Sequence, residues 1–222
     1  MHIKKYIPAA VLTLSCITYL TLSTLSTTPL SNLANAAATD LSSQVITAPH
    51  QWNAANNYDT ATTAAAMLSE QTILVPYFSR KYKADPSTVS HIVQTAQLQG
   101  YSLGIDYKLI LAMIEQESSF RPDIGNWYGA VGLMQVVTRF HHSTISALSG
   151  ELNTRKHSSV LKDPEKNVEI GTEILNQYAI RLNHLLKPSL QKYSGNAYLY
   201  SEKVNALRQQ INQQLLNSTQ PS

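Results

Sequence analysis

A glutamate at position 117 closes an apolar helical run, and the aromatic, glycine-punctuated loop Arg-Pro-Asp-Ile-Gly-Asn-Trp-Tyr-Gly-Ala-Val-Gly-Leu-Met-Gln follows it from Arg121 to Gln135. At about 100° per residue, Leu109, Ile110, Leu111, Met113 and Ile114 share one broad face, and Glu117 falls about 20° from its centre. Glu115, at about 140°, and Gln116, at about 240°, are expected on the polar side. A carboxyl group on an apolar face resists ionisation because desolvation penalises its charged form, which moves its proton affinity toward that of a general acid. Glycoside cleavage is one chemistry that needs such an acid. The same residue would be inert if backbone donors or a cation such as Arg121 satisfied its charge.

The elements that must position Glu117 read as helices. Asp106 is the expected N-cap of the helix that carries it, which ends near Ser119 ahead of Pro122. Pro86-Ser87 opens an earlier helix whose Val89, Ile92, Val93 and Ala96 recur at helical spacing, with Gly100 as its expected C-cap. Asp163-Pro164-Glu165 opens another, with Val168, Gly171, Ile174, Leu175 and Tyr178 on one face. Pro188 is expected to start the next, and residues 198–216 form the last. No run of alternating strands and no internal repeat is present, so the fold class is all-α.

The N-terminus bears on compartment. Lys4 and Lys5 precede an apolar stretch over residues 6–25, and small-residue sites follow at Ala34-Asn35-Ala36 and Ala36-Ala37-Ala38. This is the three-part order of a secretory signal peptide, residues 1–36, and places the protein in the periplasm or another extracytoplasmic space. Retention as a membrane anchor is the alternative, since about 20 apolar residues can span a bilayer. Cys16, the only cysteine, lacks the upstream Leu usual at lipid-attachment sites, with Thr13 in that position. Cleavage after Ala36 leaves 186 residues without cysteine, enough for one domain. It also removes Lys4 and Lys5 with no acidic residue, so the formal charge falls from +3 to +1. That balance, without a Lys/Arg run, excludes an electrostatic case for nucleic-acid binding. Residues 37–80 read as a flexible Ala/Thr/Asn-rich segment with a helix beginning near Ala61 and ending about Tyr82, and residues 81–222 as the catalytic domain.

Four fragments in order resemble the catalytic core of lytic transglycosylases, the lysozyme-like SLT-domain family that cleaves peptidoglycan glycan strands. They are Glu117-Ser118-Ser119-Phe120, Gly129-Ala130-Val131-Gly132-Leu133-Met134-Gln135, Asn167-Val168-Glu169-Ile170-Gly171 and Tyr193-Ser194-Gly195-Asn196, and the resemblance runs from about Tyr82 to Ile211. Small secreted single-domain members are closest, sharing Val136 to His141 as Val-x-x-x-x-His. Ile124, Asn126, Val137 and Ser194 depart from the family's usual residues. Asn126 keeps a side chain able to donate and accept hydrogen bonds.

The resemblance implies that Glu117 is the single acid/base, with Ser118, Asn126, Met134, Gln135 and Tyr193 contacting substrate. From the residues alone, Leu133 and Met134 are by default core, and a lone Tyr among 12 is by default structural. Trp127 and Tyr128 either stack on sugars or plug the loop. Asp123 and Glu169 match no second catalytic position of the family, which favours one-carboxylate chemistry. His141, His142 and His157 lack a carboxylate at ligand spacing, so neither a metal nor a cofactor is expected. The implied reaction cleaves the MurNAc–GlcNAc β-1,4 bond without water and leaves 1,6-anhydromuramyl ends. A lysozyme-type hydrolase and a weakly active peptidoglycan-binding module of a cell-wall-spanning assembly are the alternatives. The expected partner is the glycan strand, with room for such cell-wall-spanning machinery, and the expected state is a monomer.

Overall fold

The structure, a computed structural model, describes residues 60–219. The signal-peptide reading, Cys16 and most of the Ala/Thr/Asn-rich segment lie outside those residues. Eight α-helices account for most of the described chain: α1 (Thr60–Tyr82), α2 (Pro86–Leu103), α3 (Tyr107–Ser118), α4 (His142–Ser149), α5 (His157–Val160), α6 (Pro164–Arg181), α7 (Leu186–Tyr193) and α8 (Tyr200–Thr219). A two-stranded antiparallel hairpin, β1 (Ala130–Val131) and β2 (Val136–Val137), is inserted between α3 and α4, pairing Ala130 with Val137 and Val131 with Val136. The all-α class expected from periodicity is what the described residues adopt.

Local chemistry sets the helix boundaries. Asp85 caps α2 by accepting from the Thr88 amide at 2.8 Å, Asp106 caps α3 from the Lys108 amide at 3.0 Å, and Asp163 caps α6 from the Lys166 amide at 2.8 Å. The α2 end differs from expectation. Gly104, at φ 67°, is its C-cap, whereas Gly100 lies inside the helix. A Cβ at Gly100 would meet the Ile105 carbonyl at 2.6 Å and Tyr107 Cβ at 2.9 Å, so this glycine admits the start of α3 rather than stopping α2. Likewise α7 begins at Leu186, with Pro188 in the first turn, where its missing N–H breaks no intrahelical bond.

α3 is the central element, packed against α2 and α8, with α1 laid across α2 and α8. Leu109 through Glu115 are all buried. Glu115, expected on a polar face, is only 4% exposed. Its carboxylate pairs with Lys81 and accepts from the Tyr82 hydroxyl, both at the end of α1. A helix covered on nearly every side has no polar face for periodicity to display, which is why the angular count misplaced this residue.

The chain leaves α3 through two consecutive left-handed residues, Ser119 (φ 52°) and Phe120 (φ 60°). Such conformations cost of order 1 kcal/mol or more each in non-glycine residues, so the surroundings must hold them. Phe120 is buried and stacks on Phe78 at 4.2 Å and on Tyr82 at 5.6 Å between ring centroids. α1 therefore fixes the exit of the helix that carries Glu117.

Candidate active site

Glu117 occupies the last turn of α3, half-buried, and forms no ion pair among the described residues. Arg121, the cation that could have neutralised it, is exposed and donates from Nε to the Ser118 carbonyl at 3.0 Å. Burial pushes the Glu117 carboxyl above its ordinary value of 4.5, and the neighbouring Tyr200 hydroxyl partly opposes that rise. Tyr200 is 6% exposed, and its hydroxyl, buried beside Glu117, has no hydrogen-bond partner of regular geometry. Burial also holds the hydroxyls of Tyr193 and Tyr200 well above the usual tyrosine range, with the charge of Glu117 adding to the rise in both. A carboxyl that is desolvated, flanked by neutral phenols and without a cation holds its proton to higher pH than an exposed one, the direction a general acid needs.

The loop facing this helix is clamped from several sides. Asn167, fully buried, accepts from the Met134 amide at 2.7 Å and donates to the Val131 and Leu161 carbonyls at 2.9 and 2.8 Å. A Cβ at Gly132 (φ 77°) would lie 2.1 Å from Asn167 Nδ2, and one at Gly171 would lie 2.6 Å from Met134 Sδ. The Asn-x-x-x-Gly spacing of α6 thus has a physical reason: one turn apart, Asn167 ties the loop backbone and Gly171 makes room for Met134. Tyr193, at the end of α7, donates its hydroxyl to the Met134 carbonyl at 2.8 Å.

The five residues assigned to substrate occupy unequal positions. Ser118 is 1% exposed, with its hydroxyl donated to the Ile114 carbonyl at 3.0 Å, and Met134 is fully buried. Neither side chain reaches the surface; the core reading of Met134 fits its position. Gln135 (φ 48°) donates from Nε2 to the Gly132 carbonyl at 2.9 Å and the Ile124 carbonyl at 3.3 Å, and its Oε1 accepts from Asn126 Nδ2 at 3.2 Å. Asn126 is exposed and its Oδ1 accepts from the amides of Tyr128 and Ala130 at 3.0 and 3.2 Å. Asn126, Gln135 and Tyr193 are therefore brought together around the hairpin, while Ser118 and Met134 face inward.

Tyr200 was not among the residues singled out by motif. The signal that finds it is packing: Tyr200, Val204, Leu207 and Ile211 form the stripe of α8 turned toward the core. Asp123 is exposed and Glu169 pairs with Lys166 at 2.8 Å, so neither is drawn to Glu117. His142 and His157 meet through their Nδ1 atoms at 3.1 Å, and buried His157 has its Nε2 3.0 Å from the Glu151 carbonyl. A carbonyl can only accept, so His157 donates from Nε2, and the two rings form a structural pair. Among the described residues no group of three or more His, Cys, Asp or Glu is placed to hold a metal ion.

Comparison with known proteins bears on this arrangement. The family model described as "Transglycosylase SLT domain" matches residues 80–208, more than half of the chain. Similar curated proteins include "Membrane-bound lytic murein transglycosylase C" of Actinobacillus succinogenes, 37% identical over 95 residues, covering 41% of this chain and 25% of that protein. The protein of the same name from Histophilus somni is 29% identical over 137 residues, covering 57% and 38%. That from Edwardsiella ictaluri is 40% identical over 72 residues, covering 32% and 20%. The chain thus spans well under half the length of these relatives. No solved structure matches it.

Proposed function

The chain belongs to the transglycosylase SLT-domain family, and from that premise we propose that it is a peptidoglycan lytic transglycosylase in which Glu117 is the single acid and base. The observation that carries the reading is the half-buried Glu117 carboxyl, raised in proton affinity by burial and without a cationic partner. Protonated, it gives its proton to the glycosidic oxygen between N-acetylmuramic acid and N-acetylglucosamine. The carboxylate left behind then takes the proton of the muramyl C6 hydroxyl, whose oxygen attacks the anomeric carbon of the same sugar. The C1–O4 bond breaks, the C1–O6 bond forms, and the product ends in a 1,6-anhydromuramyl residue with no water consumed. Attack within one sugar gains from proximity, because the nucleophile is already tethered to the reacting carbon.

Tyr200 is the residue placed to orient the Glu117 carboxyl, since its buried hydroxyl lies beside it. Tyr193 acts through the Met134 carbonyl it holds and so positions the loop rather than touching the sugar. Asn126 and Gln135, bonded to each other, shape the wall on the glycan side. Because the similar proteins are named membrane-bound and the chain opens with a signal-like order of charge, apolar stretch and small residues, we place its work outside the cytoplasm. No helix among the described residues is long and apolar enough to cross a membrane. Digestion of purified sacculi followed by mass spectrometry of the muropeptides tests the reading: anhydromuramyl ends are expected, while reducing muramyl ends would establish a hydrolase and intact sacculi a binding module.

A further inference from the structure

The most exposed large apolar side chain of the described residues is Trp127, 92% accessible, and Tyr128 (51%) and Phe140 (67%) are exposed as well. They are not scattered. Trp127 meets Tyr128 edge-on with ring centroids 4.5 Å apart. The Arg139 guanidinium lies 4.8 Å from the Tyr128 ring and 4.7 Å from the Phe140 ring. The hairpin explains the meeting: Tyr128 lies in the turn that leads into β1 and Arg139 in the 3-10 turn that follows β2, and the Ala130–Val137 pair brings those two flanks to the same end of the hairpin. The amide of Tyr128 is fixed in turn by Asn126 Oδ1, the residue bonded to Gln135.

Arg139 makes no ion pair among the described residues, although it is exposed and ordered by two rings. A guanidinium stacked in this way has lost much of its rotamer freedom before any ligand arrives, and its fork of N–H donors matches a carboxylate. Open aromatic faces beside it suit a sugar ring or an aliphatic stem. We propose that Trp127, Tyr128, Arg139 and Phe140 form an outer subsite that binds a carboxylate-bearing peptide stem carried on the glycan, with Arg139 as the anion receptor and Trp127 as the stacking surface. This rests on the peptidoglycan reading above. Continuity with Asn126 and Gln135 places the subsite on the glycan-side wall rather than elsewhere on the molecule. An anionic membrane is the poorer occupant, since the platform carries one cation where headgroup binding draws on clusters of about 4–8 basic residues.

The test is co-sedimentation of the full chain carrying Glu117→Gln with sacculi coupled to beads through their glycan, either left intact or stripped of their stems by an amidase after coupling, and with anionic phospholipid vesicles. Tighter binding to intact sacculi is expected, and adding Arg139→Gln should weaken that binding by roughly tenfold, the scale of a charge-assisted hydrogen-bond pair, so that intact and stripped sacculi are bound alike. Trp127→Ala, at a side chain too exposed to support the fold, should weaken binding to both. Equal binding of intact and stripped sacculi by the parent protein would overturn the proposal, as would an unchanged preference in Arg139→Gln. Arg139-dependent binding to the vesicles without a preference between the two sacculi would overturn it in favour of a lipid surface. Product analysis separates this from the catalytic reading: absence of anhydromuramyl ends with an Arg139-dependent stem preference sinks the reaction and keeps the subsite. Anhydromuramyl ends without that preference do the reverse.

Discussion

Two glutamates two residues apart at the end of one helix have opposite fates. Glu115 is the more buried, yet its carboxylate is paired with Lys81 and accepts from Tyr82. Glu117 is less buried and has no cation. Burial lowers the Lys81 pKa on its own, but the hydrogen bonds to Glu115 and Tyr77 and the charge of Glu115 outweigh it and hold the ammonium above its usual range. A buried carboxylate with a committed cation is a structural joint, here between α1 and α3. A partly buried one flanked by phenols keeps a proton to give. Depth of burial alone does not identify the acid; the partner does.

The largest expected effect tests the Glu117 half of that contrast. Glu117→Gln keeps the shape and removes the proton chemistry, so turnover on sacculi should fall by at least about 10³, within the range general acid–base catalysis supplies. Far-UV circular dichroism should be unchanged. Turnover within threefold of wild type, with the fold intact, would sink the assignment.

Glu115→Gln probes the other half. Removing one partner of a fully buried pair costs about 3–5 kcal/mol, but Lys81 is 32% exposed and water can solvate it after the loss. We expect a destabilisation of about 2 kcal/mol, read from urea unfolding. The folded fraction should still produce anhydromuramyl ends. An active-site role for Glu115 would instead appear as lost turnover at unchanged stability.

How much of this was legible in the sequence follows the same physics. The helix carrying Glu117 is bounded by local signals, Asp106 at its start and Pro122 just past its end, and both could be read along the chain. The position of Glu115 could not, because it depends on Lys81 and Tyr82, more than thirty residues upstream. Gly100 misled for a related reason: its need is the close approach of α3, a tertiary fact, while the cap that a glycine signals belonged to Gly104. In the candidate site, motif order located Glu117, Gln135 and Tyr193. It could not say that Ser118 faces its own helix or that Tyr193 bonds a carbonyl of the loop. Nor did any motif bring in Tyr200, whose position follows from how α8 packs.

Tyr200→Phe sharpens the contrast by changing the neighbour of Glu117 without changing the acid. The Tyr200 hydroxyl opposes the rise that burial causes, so its removal should raise the Glu117 proton affinity further. The pH–rate profile of the variant should move to higher pH, with turnover reduced by about tenfold through loss of orientation. A profile that keeps its position while only the melting temperature falls would make Tyr200 a packing residue.

The smallest expected effect is a pH dependence of stability that belongs to Glu117. Its folded carboxyl binds a proton more tightly than the ordinary value of 4.5 in the unfolded chain. Between 4.5 and the raised value the folded state therefore holds more protons than the unfolded one, and stability declines as pH rises through that window. Below 4.5 both states are protonated and nothing is lost. Glu117→Gln has no charge to bury, so it should be more stable than wild type at neutral pH, and that advantage should shrink to zero as pH falls below 4.5. Paired urea titrations of the two proteins from pH 4 to 8 measure it. A variant less stable than wild type at pH 7 would mean that the Glu117 carboxylate is held by favourable contacts in the fold, which would place it with Glu115 as a structural joint and remove the physical ground for treating it as the acid.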